Sequence, residues 1–269
     1  MQLEFFPRTK FSLLSDFHKL ETSHLSIEEK IRLIQNPDFF KSPKANEVIK
    51  QQHAEMLDNI LGFRLRFIEE MLIAEAQGFD PEGSFNTWGP DMHDGAQTWV
   101  GLDLKTLQTP YSEIQRILQL LKIRPYQHII DLGAAYGRMG IIIGGLYIKN
   151  SFQGFEFVKS RVDEGNRVYQ ELGLRKCELL TQDLSLKSFS LPMADVYFIY
   201  DFGQVEHIER TLKQIEYNAT KRPIKVVARG KYTKQIINHS HPWLELKYEG
   251  KLEGLFSLYV SGQGLVAHI

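Results

Sequence analysis

Five short apolar runs recur through the second half of the chain, and their alternation with helix-spaced segments limits the fold more than any other feature. HIIDLG (128–133), FQGFEF (152–157), CELLTQD (177–183), ADVYFIYD (194–201) and IKVVARG (224–230) read as buried strands. Helical spacing follows at 138–148, 160–172 and 204–217, and a short helix follows the fifth strand. Strands joined through helices run parallel, and a parallel sheet needs helices on both faces. The expectation is an α/β, Rossmann-like doubly wound sheet. The end differs: LELKYEGKLEGLFSLYV (244–260) holds two strand-like runs around Gly250 and Gly254 with no helix between, the pattern of a C-terminal antiparallel hairpin. Before the first strand, Thr109 offers an N-cap and Pro110 a first helical residue, and Ile114, Ile117, Leu118 and Leu121 repeat at helical spacing.

The first 108 residues form a helical N-terminal region. Ser26 and Glu29 make a capping box for a helix that must end before Pro37. From about 46 to 77, Met56, Ile60, Phe63 and Phe67 recur at helical spacing beside Leu57, Leu61, Ile68 and Leu72, which gives a broad buried face. Arg66 and Glu70 stand four apart, as surface partners do. The segment 78–108 loses all periodicity, is rich in Gly, Pro, Asp and Asn, and holds two tryptophans. Long loops of that kind are often lids or binding loops. Two regions are therefore expected, 1–108 and 109–269. The first carries 11 basic and 17 acidic residues and the second 21 and 16, so two docked, complementary surfaces are the simplest reading.

Across all 269 residues, 32 Lys and Arg oppose 33 Asp and Glu, which gives no global pull toward nucleic acid or an anionic membrane. The start, MQLEFFPRTK, lacks the apolar core of a signal peptide, and nowhere do eighteen apolar residues run together. A lone cysteine, Cys177, suits a reducing cytosol and reads as core. The expectation is a cytoplasmic protein without a membrane span. No metal-ligand spacing appears; His93 and Asp94, with Asp91, read as a surface loop.

The segment IIDLGAAYGRMG (129–140) runs from an apolar strand through an acid and a glycine-rich turn into a helix. Glycine leaves room for a ligand against such a turn, and ligands in open α/β sheets sit at the carboxyl ends of the strands. The dinucleotide pattern G-x-G-x-x-G fits badly, because Gly133 is followed by Ala135 and Arg138. Asp131 ahead of the turn suits an ammonium better than a pyrophosphate.

On these residues the chain resembles the class I S-adenosylmethionine-dependent methyltransferases over roughly 110–269. Their first motif, [D/E]-x-G-x-G-x-G, is matched by Asp131, Gly133 and Gly137, with Ala135 in the middle glycine's place. The resemblance implies that Glu156, ending the second strand, accepts the ribose hydroxyls. It implies that Asp183, ending the third, meets the adenine amino group with the backbone N–H of Leu184 facing the ring. The closing hairpin resembles the family's antiparallel addition to its sheet. Asp201 ends the fourth strand, where the family keeps residues near the methyl group and acceptor, but the Asn/Asp-Pro-Pro-aromatic signature is missing. Asp201 is a candidate base or acceptor contact, and His207, one turn into the next helix, a candidate general base. The segment LKTLQTPYSEIQRIL resembles the entry loop of the non-SET histone lysine methyltransferase family, which implies that Thr109 and Tyr111 cover the cofactor; helix capping explains Thr109 equally well. Arg229 and Lys231 either face the acceptor or cap a helix, and Gly144 and Gly145 read as close packing against the sheet.

The resemblance implies S-adenosyl-L-methionine as methyl donor and S-adenosyl-L-homocysteine as product, with methyl transfer by in-line displacement to a protein side chain or a small molecule. A nucleic acid acceptor is disfavoured by the neutral charge. The alternatives are a non-catalytic S-adenosylmethionine-binding module and, with less support, an NAD-dependent oxidoreductase.

Overall fold

The alternating runs assemble into one seven-stranded sheet in the computed structural model, which describes residues 11–78, 100, 104–250 and 256–262. Its strands are β1 (His128–Leu132), β2 (Ser151–Glu156), β3 (Cys177–Thr181), β4 (Val196–Tyr200), β5 (Lys225–Arg229), β6 (Leu244–Glu249) and β7 (Ser257–Ser261). Their order across the sheet is β3-β2-β1-β4-β5-β7-β6. The first five run parallel, and β7 lies antiparallel between β5 and β6. This is the mostly parallel, doubly wound sheet with a reversed C-terminal hairpin expected from the alternation. The chain winds outward from β1 to β3 and then restarts at β4 on the other side of β1. The crevice between the carboxyl ends of β1 and β4 is therefore the switch point.

Alternating side chains on the central strands feed two apolar layers. Ile129 packs on one face with α7 (Arg138–Leu146) and α8 (Lys159–Glu171), while Ile130 and Leu132 pack on the other with α9 (Val205–Ala219) and α10 (Lys231–Ser240). The N-terminal helices join the first layer. These are α1 (Leu14–Glu21), α2 (Ile27–Ile34), α3 (Glu47–Leu61) and α4 (Leu65–Gly78), followed by the short α5 (Leu104–Leu107) and by α6 (Tyr111–Leu121), which leads into β1. Phe17, Leu33, Phe39, Phe40 and Leu57 share one continuous cluster with Ile141, Ile142 and Ile143 of α7.

Local chemistry sets the element ends. Ser26 and Glu29 form the expected reciprocal cap, with Glu29 N donating to Ser26 Oγ at 3.3 Å and Ser26 N to Glu29 Oε2 at 2.7 Å. The single helix expected over 46–77 is two helices, because Gly62 adopts a left-handed φ of +91° and ends α3. Phe67 is consequently exposed, and Arg66 pairs with Glu55 across the break and not with Glu70. Gly145 packs against the N-terminal region and not the sheet, since a Cβ there would strike the carbonyl of Ile34, and Gly144 faces Leu174.

Acidic and basic residues meet across this junction. Asp58 of α3 pairs with Arg138, both almost fully buried. Glu69 of α4 accepts from Arg161 Nε and Nη2 at 2.8 and 3.0 Å and from Tyr136 Oη at 2.8 Å. Arg64 donates in turn to Glu164. Two of these pairs join an acid of the first region to a base of the second, and the third runs the other way. No described helix is long and apolar enough to cross a membrane.

Candidate functional site

The turn after β1 is built from backbone angles that few residues adopt. Gly133 and Gly137 have φ of +89° and +77°, and Ala135 between them is held at +46°. The alanine in the middle position thus takes the left-handed shape of a glycine, at about 1 kcal/mol of strain. The N–H groups of Gly133 and Ala134 both donate to Phe155 O at 3.0 Å, which ties the turn to the end of β2. Tyr169 donates its hydroxyl to Gly137 O from the other side.

Asp131 sits on β1 just before this turn and lines a pocket between α6 and the ends of β1, β4 and β5. Among the described residues its carboxylate has no hydrogen-bond or ion-pair partner. Burial, and then the negative charge of Glu156, push its carboxyl up to about 8. The pocket wall is otherwise mostly apolar, with Ile114, Ile117, Phe198, Val227 and Phe256. Two donor residues, Arg229 and Gln108, line the same pocket. Arg229, at the end of β5, donates to Thr109 Oγ1, pairs through Nη2 with Glu113 Oε2 at 3.9 Å and stacks 5.1 Å over the Tyr200 ring, while its Nε is buried without a partner. Gln108 is 4% exposed, and its Nε2 also lacks a partner. A carboxylate without a partner among the described residues and two unsatisfied nitrogens in one mostly apolar pocket suit a ligand with both charges on one end, because buried polar groups are stabilised only by partners.

Glu156 is buried at the end of β2, with its carboxylate turned onto the backbone. Oε2 accepts from Ala135 N at 2.9 Å and Oε1 from Val158 N at 3.0 Å, with Arg161 Nη1 3.8 Å away. Burial raises its carboxyl, and Arg161 and these amides oppose the rise. Each oxygen keeps a second lone pair that can accept. Asp183 lies two residues beyond the end of β3, not on the strand, and Oδ1 accepts from Ser185 N and Oγ at 2.7 and 2.6 Å. The Leu184 side chain is buried in the layer with Phe155. Neither residue lines the Asp131 pocket; they flank the neighbouring strand end, where Gln182 N donates to Glu156 O.

Three expected roles are redirected. Tyr111 does not cover the pocket: it is fully buried as the first residue of α6, its hydroxyl donates to Asp58 at 2.8 Å, and Arg138 lies 5.3 Å over its ring. Asp201 caps α10, with Oδ1 accepting from Thr233 N and Oγ1 at 2.8 Å and Oδ2 from Tyr232 N at 3.1 Å. His207 closes the cap of α9 through Gln204, and neither it nor Asp201 lines the pocket. Asp201 and His207 each serve the nearest helix end, whose free N–H groups need an acceptor. Thr109 does line the pocket, but Pro110 holds the N-cap position of α6 while Thr109 positions Arg229 and accepts from Arg138 Nη1 through its carbonyl at 3.3 Å. Cys177 is buried core as expected, its thiol pushed up to about 12 by burial.

Gln108, Tyr200 and the supporting acids Asp58 and Glu69 carried no motif. The one available signal was an acid set among buried apolar positions, as Asp58 is between Leu57 and Leu61. His93, Asp94 and most of the 78–108 loop lie outside the described residues. Among those described, no cluster of three or more His, Cys, Asp or Glu could hold a metal.

No family model matches the chain, and no curated protein matches it. Solved structures similar to it include an RNA methyltransferase from Salinibacter ruber in complex with S-adenosyl-L-homocysteine, at 18% identity over 57% of this chain and 92% of that one, with a TM-score of 0.44. A precorrin-6y C5,15-methyltransferase from Geobacter metallireducens GS-15 matches at 14% identity over 60% and 92%, with a TM-score of 0.47. A SAM-dependent methyltransferase from Aquifex aeolicus matches at 10% identity over 55% and 88%, with a TM-score of 0.42. These are likenesses of fold over part of the chain.

Proposed function

We propose that the chain is an S-adenosyl-L-methionine-dependent methyltransferase, releasing S-adenosyl-L-homocysteine. The observation that carries this reading is the half-buried carboxylate of Asp131, without a partner among the described residues, beside the left-handed turn and in one pocket with the unsatisfied nitrogens of Arg229 and Gln108. A buried anion is costly until a cation joins it. The amino-acid end of the donor brings an ammonium for Asp131 and a carboxylate for Arg229, for which guanidinium is the preferred partner. The donor supplies a methyl group already activated on a sulfonium, so transfer to an aligned acceptor requires no metal.

The chain's own residues act by position. Asp131 orients the cationic end, and the turn through Gly133, Ala135 and Gly137 allows close backbone approach. Glu156 braces that turn and keeps acceptor capacity for the ribose hydroxyls, with Asp183 and the backbone of Leu184 on the adenine side. The acceptor is a protein side chain or a small molecule, desolvated under the 78–108 segment. Deleting residues 79–103, which leaves Gln108 in place, is expected to abolish transfer while sparing donor binding; unchanged turnover refutes a lid.

Calorimetry with S-adenosylmethionine, S-adenosylhomocysteine and NAD tests the reading. Binding of both adenosyl ligands and none of NAD is expected, with close to one proton released per S-adenosylmethionine at pH 7 as Asp131 ionises. No adenosyl binding overturns it. One observation favours a second reading, a non-catalytic cofactor-binding module: both candidate bases, Asp201 and His207, are taken up as helix caps. Radiolabelled methyl transfer across lysate fractions separates the two, because a module binds the donor and labels nothing.

A further inference from the structure

The parallel strands enter the sheet at the edge opposite the pocket, and the loops leading into them carry a concentrated charge. The loops 122–127, 147–150, 173–176 and 220–225 hold eight lysines and arginines and no aspartate or glutamate. Lys122, Arg124, Lys149, Arg175, Lys176 and Lys221 are exposed and have no acidic partner among the described residues. The acid at the remaining entry, Asp195, lies 3.6 Å from Arg222, accepts from His128 N at 2.7 Å and pairs with none of the other six.

Contacts between the loops make this one surface. Lys176 Nζ donates to Ile148 O at 3.3 Å, Asn150 Nδ2 to Arg124 O at 2.6 Å, and Lys225 Nζ to Leu121 O. Burial, and then Arg124 and Lys122, lower the Lys225 ammonium, as expected where cations crowd. Five adjacent strands span about 20 Å. The loops follow the carboxyl ends of α6, α7, α8 and α9, where one cation per helix balances the helix dipole. Eight on four helices is twice that number.

Aromatic rings stand among these cations. Tyr126 is 79% exposed and is held at φ +66°, a conformation rare for a bulky residue that glycine would take without strain. Lys149 Nζ lies 5.8 Å over its ring, and Lys221 Nζ lies 4.1 Å over the exposed ring of Tyr217. An exposed aromatic kept in a strained turn marks a site of use more than of folding.

We propose that this edge is a docking surface for single-stranded RNA, whose phosphates meet the unpaired lysines and arginines and whose unstacked bases stack on Tyr126 and Tyr217. Cationic grooves with exposed aromatics are what single strands bind, and unpaired bases are presented chiefly by RNA. A membrane surface would instead call for an amphipathic helix, and this edge is made of turns. The balanced net charge of the chain hides the patch, because most of the acids lie elsewhere. The inference stands independently of the cofactor.

Fluorescence anisotropy of the full chain with a labelled 20-nucleotide oligouridylate, between 50 and 300 mM KCl, tests it. Saturable binding is expected, with a log–log salt slope of about −2 to −4, at roughly −0.7 per phosphate neutralised. The triple variant Lys122→Glu, Arg124→Glu, Lys149→Glu should bind at least about 50-fold more weakly, while Lys159→Glu on α8 should not. Tyr126→Gly should weaken binding about 5-fold or more without lowering Tm, since glycine relieves the turn; this variant decides the matter if the triple one misfolds. Binding of S-adenosylhomocysteine, or its absence, should be the same in every variant. Failure to bind at 50 mM KCl, equal affinity for duplex DNA, tighter binding to vesicles containing phosphatidylserine, or no effect of Tyr126→Gly overturns the proposal.

Discussion

Burial and the neighbouring Glu156 hold the Asp131 carboxyl at about 8 against an ordinary 3.8, so the folded chain keeps a proton that the unfolded chain releases near pH 4. Because the folded value is raised, this residue's contribution to stability is greatest below pH 4 and is lost as pH rises toward 8. Asp131→Asn removes that loss. We expect the variant to melt with wild type at pH 4 and to be more stable by about 1 kcal/mol or more at pH 8, a Tm gain of roughly 2–4 °C. Its affinity for S-adenosylmethionine should fall at least about tenfold. Paired melting curves and calorimetry at the two pH values read both effects, and a Tm difference independent of pH shows that Asp131 is not the strained group. The difference between variants matters because His53, lowered to about 4 by burial, makes both proteins lose stability as pH falls below 6.5. Asp131 was legible in the sequence because its context is local: strand, acid, turn and helix follow within ten residues. Tyr111 and Asp201 were not, because their partners, Asp58 and Thr233, lie 53 and 32 residues away.

The helices α3 and α4 place one buried acid each on the two arms of the pocket's supporting structure. Asp58 grips Arg138 immediately after Gly137, and Glu69 grips both Arg161, which faces Glu156, and Tyr136 within the turn. Such pairs are weak stabilisers as a unit but damaging when half removed, because a buried charge is left alone. Asp58→Ala is therefore expected to cost about 3–5 kcal/mol, and the double variant Asp58→Leu, Arg138→Met to recover most of it. Urea unfolding of the three proteins measures this, and additive losses in the double variant would show that the pair is not coupled. The elements themselves were readable from periodicity, and most ends of β1 to β5 fall within one residue of the expected ones. The exceptions have physical causes. Gly62 breaks a helical pattern that hydrophobic spacing carries straight through, and the run 177–183 overshoots β3 because Asp183 turns back onto Ser185. Spacing reports which residues are apolar, while the break depends on one backbone angle.

At the scale of the molecule, the division into 1–108 and 109–269 separates sequence composition more cleanly than it separates cores. Phe17, Phe39, Phe40 and Leu57 pack in the same layer as Tyr111, Ile141 and Ile142, and α2 lies against Gly145 too closely for any side chain there. The fragment 109–269 would expose the outer faces of α6 and α7 and leave Arg138 and Arg161 buried without their acids, while gaining nothing in return. Each fully buried leucine or phenylalanine side chain is worth about 1.5–3 kcal/mol, against a total stability of about 5–15 kcal/mol for a typical domain. The loss of a few such contacts is comparable with that margin. We therefore expect the full chain to unfold in one transition, and the fragment 109–269 to retain far-ultraviolet ellipticity but to lose near-ultraviolet signal and to bind a hydrophobic dye. Adding residues 1–108 as a separate chain should restore the near-ultraviolet signal if docking of the helical region completes the core. A fragment that is well folded alone and binds S-adenosylhomocysteine with unchanged affinity would instead make the N-terminal helices a separable domain, with the ion pairs at Asp58 and Glu69 serving attachment only.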